Sequence, residues 1–501
     1  MKKLLTLAAA AISLAATAAV EKLAVIQVAD VDTIVQAATK LGEFSGYPML
    51  GQMASMNITS NPVYGYFGPS RDGASMAIVV YGDTEKLVKA FAEDSDDADD
   101  HIAFAIVYPV SRDKAAFMSA NPGSKEKDGF IFAQCDLFGE CDDDDDDEAA
   151  SSNKTKDDVA GNAFTVFSED GKWATLSKKK EYAKLALSDI AEAEKPLDGK
   201  VLSVRACESF IKLGKSLLDE TARKESKEDF ADLGKLFAMM KNIEYTLKVG
   251  ELGIDIGCKV VEVPGSVLAE CGKIPLAAEP FAFAPAGAHC ACAVAQNAGS
   301  YGMDRADAIK NVMDVMKKHG LKLDWLETLL DGEKALFTLD VAAMMEYFKG
   351  EGAEAAAAFD SDKVMEDLVK ALDKKGSVLK KDSPAFYSAF SLKGKSASTT
   401  PGARFAKAMP DVKGKKLYSA TVYSLYGMLK SLAPEVAALN AKNADKIKPL
   451  LATLPANDTG AVAMAMWHEN GSHNILFRIG ADEIRGLCAI GTSIFTLMIM
   501  E

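Results

Sequence analysis

Two groups of side chains in this sequence are of types that could do chemistry, and a third kind of chemistry is sought by motif. The first is the acidic run Asp142–Glu148, DDDDDDE, with Asp136, Glu140, Asp157 and Asp158 close by. Carboxylate oxygens are hard ligands, so Asp142, Asp144, Asp146 and Glu148 form a candidate Ca²⁺ set. An EF-hand loop needs Gly at its sixth position and Glu at its twelfth; counted from Asp142, those positions hold Asp147 and Asn153. Packed like charges repel one another, which favours a solvated, extended loop over a metal site. The shorter run Glu93–Asp100, EDSDDADD, reads the same way.

The second group is His289-Cys290-Ala291-Cys292. On a strand the two thiols point to one face. A structural zinc site needs four convergent ligands. The sequence offers no CxxC pair, and His101, His319, His468 and His473 are scattered along it. Disulfides or strand packing are therefore expected for these thiols. The third kind is sought as a nucleophile or a metallohydrolase motif. There is no Gly-x-Ser-x-Gly elbow, no His-Glu-x-x-His helix and no phosphate-binding glycine loop. His468-Glu469 runs into the turn Asn470-Gly471 rather than into a helix carrying a second histidine. No catalytic residue and no cofactor are assigned.

The eight cysteines are an even number, as a disulfide framework requires. Cys135 and Cys141 flank the short loop DLFGE and are one candidate bridge. Cys258 and Cys271 are a second, and each could equally reach Cys290 or Cys292. The sequons at Asn57, Asn153, Asn457 and Asn470 are given no role. The methionine pairs Met239-Met240 and Met344-Met345 read as gap-filling core residues.

The elements that must position these groups follow a loose theme. Its clearest copy is Ala163–Leu187, in which Asp170-Gly171 signals a hairpin, Ser177 is expected to cap a helix, and Tyr182, Leu185 and Leu187 are its apolar positions. Further copies are IVVYGDTEKLVKAF, AIVYPVSRDKAAFM, LFTLDVAAMMEYF and LFRIGADEIRGL: a β-rich run, one to three polar residues, then an amphipathic helix. Asp30 or Asp32 should cap a helix after the strand Leu23–Val28, and Asp83 another. Val63–Phe67 is expected to pair as a strand with Met76–Tyr81. Strand Phe130–Ala133 should lie in one sheet with Phe164–Phe167, the acidic loop being an insertion between them. Ile243–Cys271 and Phe386–Ala408 share a strand, a Gly turn, an extended run, Pro-Gly and a helical start, which suggests a duplication.

The fold class expected is α+β: antiparallel sheets with helices on one face, repeated ββα-like units, and two or three subdomains. The divisions expected are residues 19–200 with acidic loop 136–158, 201–350, and 351–501 as a duplication of the middle part. Residues 1–18 read as a signal peptide, with Lys2 and Lys3, an apolar middle and Ala16-Thr17-Ala18. This places the protein in the periplasm or outside the cell. No later run reaches the roughly 18 apolar residues of a membrane helix; Leu487–Met500 comes nearest and is interrupted by Gly491, Thr492 and Ser493. The formal net charge of −15 disfavours nucleic acid and anionic head groups.

With its Lys-Lys signal, strand–helix units and Pro-Gly-punctuated hairpins (EVPGSVLAEC, STTPGARFAKA), the chain resembles uncharacterised exported bacterial α+β proteins. The resemblance implies an exported α+β fold and carries no functional residue. The function expected is that of an exported soluble binding or structural protein, with a hydrophobic small molecule held between sheet and helices. Two alternatives stand beside it: an extracytoplasmic hydrolase whose site is assembled from distant residues, and a surface protein that docks a protein partner.

Overall fold

The computed structural model describes residues 20–135, 162–266, 289–295, 334–339, 414–439 and 461–500, except 72, 94, 96–97, 99–100 and 226–227, together with residues 275–276, 281, 408–409, 412 and 452. Helices and antiparallel strands make it an α+β protein. The chain forms two compact units: Met1–Gly42 with Pro48–Lys248, and Glu43–Tyr47 with Val249–Glu501.

The first unit begins with β1 (Val20–Val28), α1 (Val31–Ser45), α2 (Leu50–Thr59), α3 (Pro62–Phe67), β2 (Met76–Asp83), α4 (Thr84–Ala92), β3 (Ile102–Pro109) and α5 (Lys114–Ala120). It continues through β4 (Lys125–Lys127), β5 (Phe130–Gln134), β6 (Asn162–Phe167), β7 (Trp173–Ser177), α6 (Lys180–Leu185), α7 (Ile190–Ala193), β8 (Leu202–Ala206), α8 (Glu208–Glu225), α9 (Glu228–Ala238) and β9 (Met240–Gly250). The strands lie in the order β9-β8-β1-β2-β3-β7-β6-β5-β4, and each neighbouring pair is antiparallel.

Alternate residues of a strand face opposite ways, and this unit uses both faces. Ile106 and Tyr108 pack with Tyr66 and Phe67 of α3 and Phe117 of α5. The Phe67 and Tyr108 rings stack at 4.8 Å. Ala105 and Val107 pack instead with Val79, Tyr81 and, from α6, Tyr182. Helices thus cover two faces here, where one was expected.

Cap chemistry sets the helix starts. Asp30 accepts from the Thr33 amide at 3.0 Å and the Thr33 hydroxyl at 2.7 Å, and Asp83 accepts from the Lys86 amide at 3.1 Å. Two expectations fail locally. Val63–Phe67 is helical, because Asn61 caps it by accepting from the Val63 amide and Pro62 occupies the first turn; β2 pairs with β1 and β3 instead. Ser177 is not a cap. It is paired on both sides, to Ala105 and Phe164, which extends β7 through it, and α6 starts at Lys180 without a side-chain cap.

The two strands expected to flank the acidic loop do pair, with Ile131 opposite Thr165 and Ala133 opposite Ala163. The loop itself, with Asp142, Asp144, Asp146 and Glu148, lies outside the described residues.

The second unit contains β10 (Gly253–Glu262), β11 (Cys290–Ala295), β12 (Lys334–Leu339), β13 (Leu417–Tyr423), α10 (Leu425–Leu439), β14 (Val462–Glu469), β15 (Ser472–Gly480) and α11 (Ala481–Met500). Its strand order is β12-β11-β13-β14-β15-β10, again antiparallel throughout. One face carries a core of small residues, Ala291, Ala293, Ala420, Val422, Ala463 and Ala465, against Leu276, Phe281, Met409 and Val412. Of Phe386–Ala408, the second half of the suggested duplication, all but Ala408 lies outside the described residues. No helix among the described residues is long and apolar enough to cross a membrane.

Candidate metal centre

The Asn470-Gly471 turn between β14 and β15 has φ of 53° and 70° at its two residues. These are the positive values of a two-residue hairpin loop, which Asn-Gly supplies at least steric cost. A loop of that length fixes the register: Glu469 lies opposite Ser472, and His468 opposite His473. The two imidazoles therefore share one sheet face. Their centroids are 4.9 Å apart.

On the other side of β15, His473 is paired with Val260 of β10. Glu262 lies two residues beyond Val260 and so on the same face. Its amide donates to the Gly471 carbonyl at 3.2 Å, tying the end of β10 to the turn. The carboxylate sits between the imidazoles: His473 Nε2 is 3.0 Å from Glu262 Oε2, and His468 Nε2 is 3.2 Å from each carboxylate oxygen. Glu262 and His473 are buried, and the His468 side chain is 28% exposed. Among the described residues these three offer metal-ligating atoms all within 4.8 Å of one another.

A fourth residue is brought in by an irregularity. Leu417 is opposite Trp467 and Ser419 is opposite Met466, so Tyr418 is an extra residue in β13. Such a bulge re-aims a side chain. In unbroken register Tyr418 would face Trp467, whose side chain lies on the other face from His468. Instead its hydroxyl is 3.2 Å from His473 Nδ1.

The spacing suits a metal ion. Two ligands each about 2.05 Å from a tetrahedral ion stand about 3.3 Å apart. The observed imidazole–carboxylate distances of 3.0 and 3.2 Å are close to that edge. Two imidazole nitrogens and a carboxylate suit a first-row transition dication such as Zn²⁺, and not Ca²⁺, which takes oxygen ligands alone. Three protein ligands among the described residues leave a further coordination position.

The groups singled out in the sequence fare differently. Cys290 and Cys292 lie on β11 as free thiols, along with Cys207 and Cys488. Burial pushes the Cys290 thiol up, and neighbouring Cys292 adds to the shift. His289 turns away from them: its Nε2 is 2.9 Å from the Ser431 hydroxyl on α10. Pairing of Cys258 with Cys290 or Cys292 is ruled out. Three strands separate β10 from β11, a distance of about 19 Å at the usual strand spacing. For Cys135–Cys141 and Cys258–Cys271, the second members Cys141 and Cys271 lie outside the described residues, as does His319.

His468 and His473, treated as scattered, are the pair that meets. The signal was in HENGSH itself. The turn that denies His468 a helical partner sets residues one and two places outside it face to face. Glu262 had no such signal, because its partners are more than two hundred residues away. No protein-family model matches this chain, and no curated protein and no solved structure matches it.

Proposed function

We propose that the protein is an exported metal-binding protein that holds one divalent transition-metal ion, of the Zn²⁺ class, on Glu262, His468 and His473. The observation that carries this reading is the buried Glu262 carboxylate within 3.2 Å of both imidazole Nε2 atoms. A buried carboxylate is stable only with a charged or hydrogen-bonding partner, and a dication held between it and the two imidazoles supplies one. The pattern of residues 1–19 supports an extracytoplasmic location. The acidic composition supports a partner other than nucleic acid.

The open coordination position gives the hydrolase alternative a specific footing, since metal-bound water is a nucleophile near neutral pH. Glu262 cannot serve as a general base while it is a ligand, so binding is the reading the described residues support best.

The test is calorimetric titration of the full chain with Zn²⁺ in the presence of excess Ca²⁺, which competes for any binding by surface carboxylates. One tight zinc equivalent is expected, and His468→Ala or Glu262→Gln should weaken it at least ~10-fold. Absence of that equivalent, or its persistence in both variants, would overturn the proposal.

A further inference from the structure

The contact between Tyr418 and His473 has a direction that follows from proton counting. An ionised carboxylate only accepts hydrogen bonds. With His473 neutral, the Nε2 that faces Glu262 Oε2 at 3.0 Å carries the ring's proton in the metal-free protein. A neutral imidazole has one N–H, so Nδ1 is bare and accepts from the Tyr418 hydroxyl across 3.2 Å. When a metal ion takes Nε2, the single ring proton must sit on Nδ1, which now needs an acceptor. A hydroxyl can fill both roles; a carboxylate could only accept, an ammonium could only donate, and a phenyl ring could do neither.

We propose that Tyr418 is the positioning residue of the metal centre, donating to His473 Nδ1 in the metal-free protein and accepting from it in the loaded one. The ring thereby presents Nε2 to the metal in both states. This rests on the metal-binding reading above. The bulge supports it independently, since regular pairing of β13 with β14 would put Tyr418 on the opposite face from His473. The rings of Tyr418 and His473 are near-perpendicular, at 79° and 5.8 Å between centroids, with the hydroxyl 3.2 Å from Nδ1. No proton is gained or lost by the pair: the ring proton leaves Nε2 as the metal arrives, and one returns to Nδ1 through solvent.

The experiment compares the full chain with Tyr418→Phe, using zinc calorimetry and two-bond ¹H–¹⁵N spectra of ¹⁵N-histidine-labelled protein. In the unsubstituted chain His473 should be Nε2-protonated without zinc and Nδ1-protonated with it. Tyr418→Phe should lower zinc affinity about 10- to 100-fold, the usual effect of removing an outer partner of a ligating histidine. Without zinc, its His473 should keep the proton on Nε2, held by Glu262, while the bare Nδ1 loses the ¹⁵N shift that accepting from the Tyr418 hydroxyl gives it. A tyrosine that does not bond the ring would leave that Nδ1 resonance unmoved. If the unsubstituted chain binds zinc and Tyr418→Phe binds it equally well, or if His473 ligates through Nδ1, the role of Tyr418 is overturned and the metal centre stands. If the unsubstituted chain binds no zinc, both fall.

Discussion

Replacing Gly486 with alanine should destabilise the second unit, although alanine is the better helix former. Gly486 lies in α11, where a methyl group would fall on three ring carbons of Tyr426, the farthest 2.7 Å away. Ordinary carbon–carbon contact is about 3.5–4.0 Å, so ring or helix must move by roughly 1 Å. Tyr426 is fully buried and has nowhere to go. Moving α11 instead strains Glu483, a completely buried carboxylate that accepts from the Tyr426 amide at 2.7 Å and the Ser424 hydroxyl at 3.1 Å. Overpacking costs about 1–3 kcal/mol. A weakened buried hydrogen bond adds about 1–3 kcal/mol, and the helix-propensity gain returns about 1 kcal/mol. The net loss is about 2–4 kcal/mol, or roughly 5–15 °C in Tm for a unit of this size. Gly491→Ala is the control, because Gly491 sits in the same helix with nothing within 4 Å of the new methyl; it should be neutral or slightly stabilising. The assay is thermal and urea unfolding of both variants. A Gly486→Ala protein that melts with or above the parent would refute the close approach of α10 and α11.

Acid titration should expose Glu192. Burial pushes its carboxyl up, but hydrogen bonds from Lys195, Lys22 and Arg205 outweigh that and hold it at about 2. A depressed folded value stabilises above the ordinary 4.5 and is lost as pH falls towards 2; Glu192→Gln should flatten the stability–pH curve of urea unfolding in that window. Gly471→Ala places a side chain at φ 70° and should cost about 1–2 kcal/mol, with a parallel loss of zinc affinity in calorimetry because the same turn aligns the histidines. Asp83→Ala removes the cap of α4 and should cost about 1 kcal/mol, read as a shift of the urea midpoint without a change of slope.

Much of the strand plan was legible where two residues decide a turn or a cap. Asp170-Gly171, Asn470-Gly471, Asp30 and Asp83 all act locally, and each does what its type dictates. The pairing of β5 with β6 across the acidic insertion was legible for a related reason: both strands carry apolar runs, and after pairing with their nearer neighbours, β4 and β7, each has one edge left for the other. Val63–Phe67 misled because an apolar run of five is compatible with strand or helix, and Asn61-Pro62 decides the matter. Ser177 misled because its cap-like type was outweighed by strand pairing on both sides. The metal centre was half legible. A two-residue turn fixes the meeting of His468 with His473, whereas the approach of Glu262 is set by sheet order, which local pattern does not encode. The bulge at Tyr418 is a defect in register and leaves no trace in periodicity.

The three ligands reach the centre on very different schedules. His468 and His473 come together when one hairpin closes, an event of about 1–10 μs. Glu262 is 206 residues away along the chain from His468, and it arrives only when β10 has docked along β15. A nascent or partly folded chain therefore presents a bidentate imidazole clip of modest affinity, and the carboxylate completes the set at the end. An ion captured there closes a loop of some two hundred residues, where the entropic advantage of a clasp grows with the length enclosed. Metal uptake would then report that the second unit has finished assembling, and removal of the ion would loosen first the seam between β10 and β15.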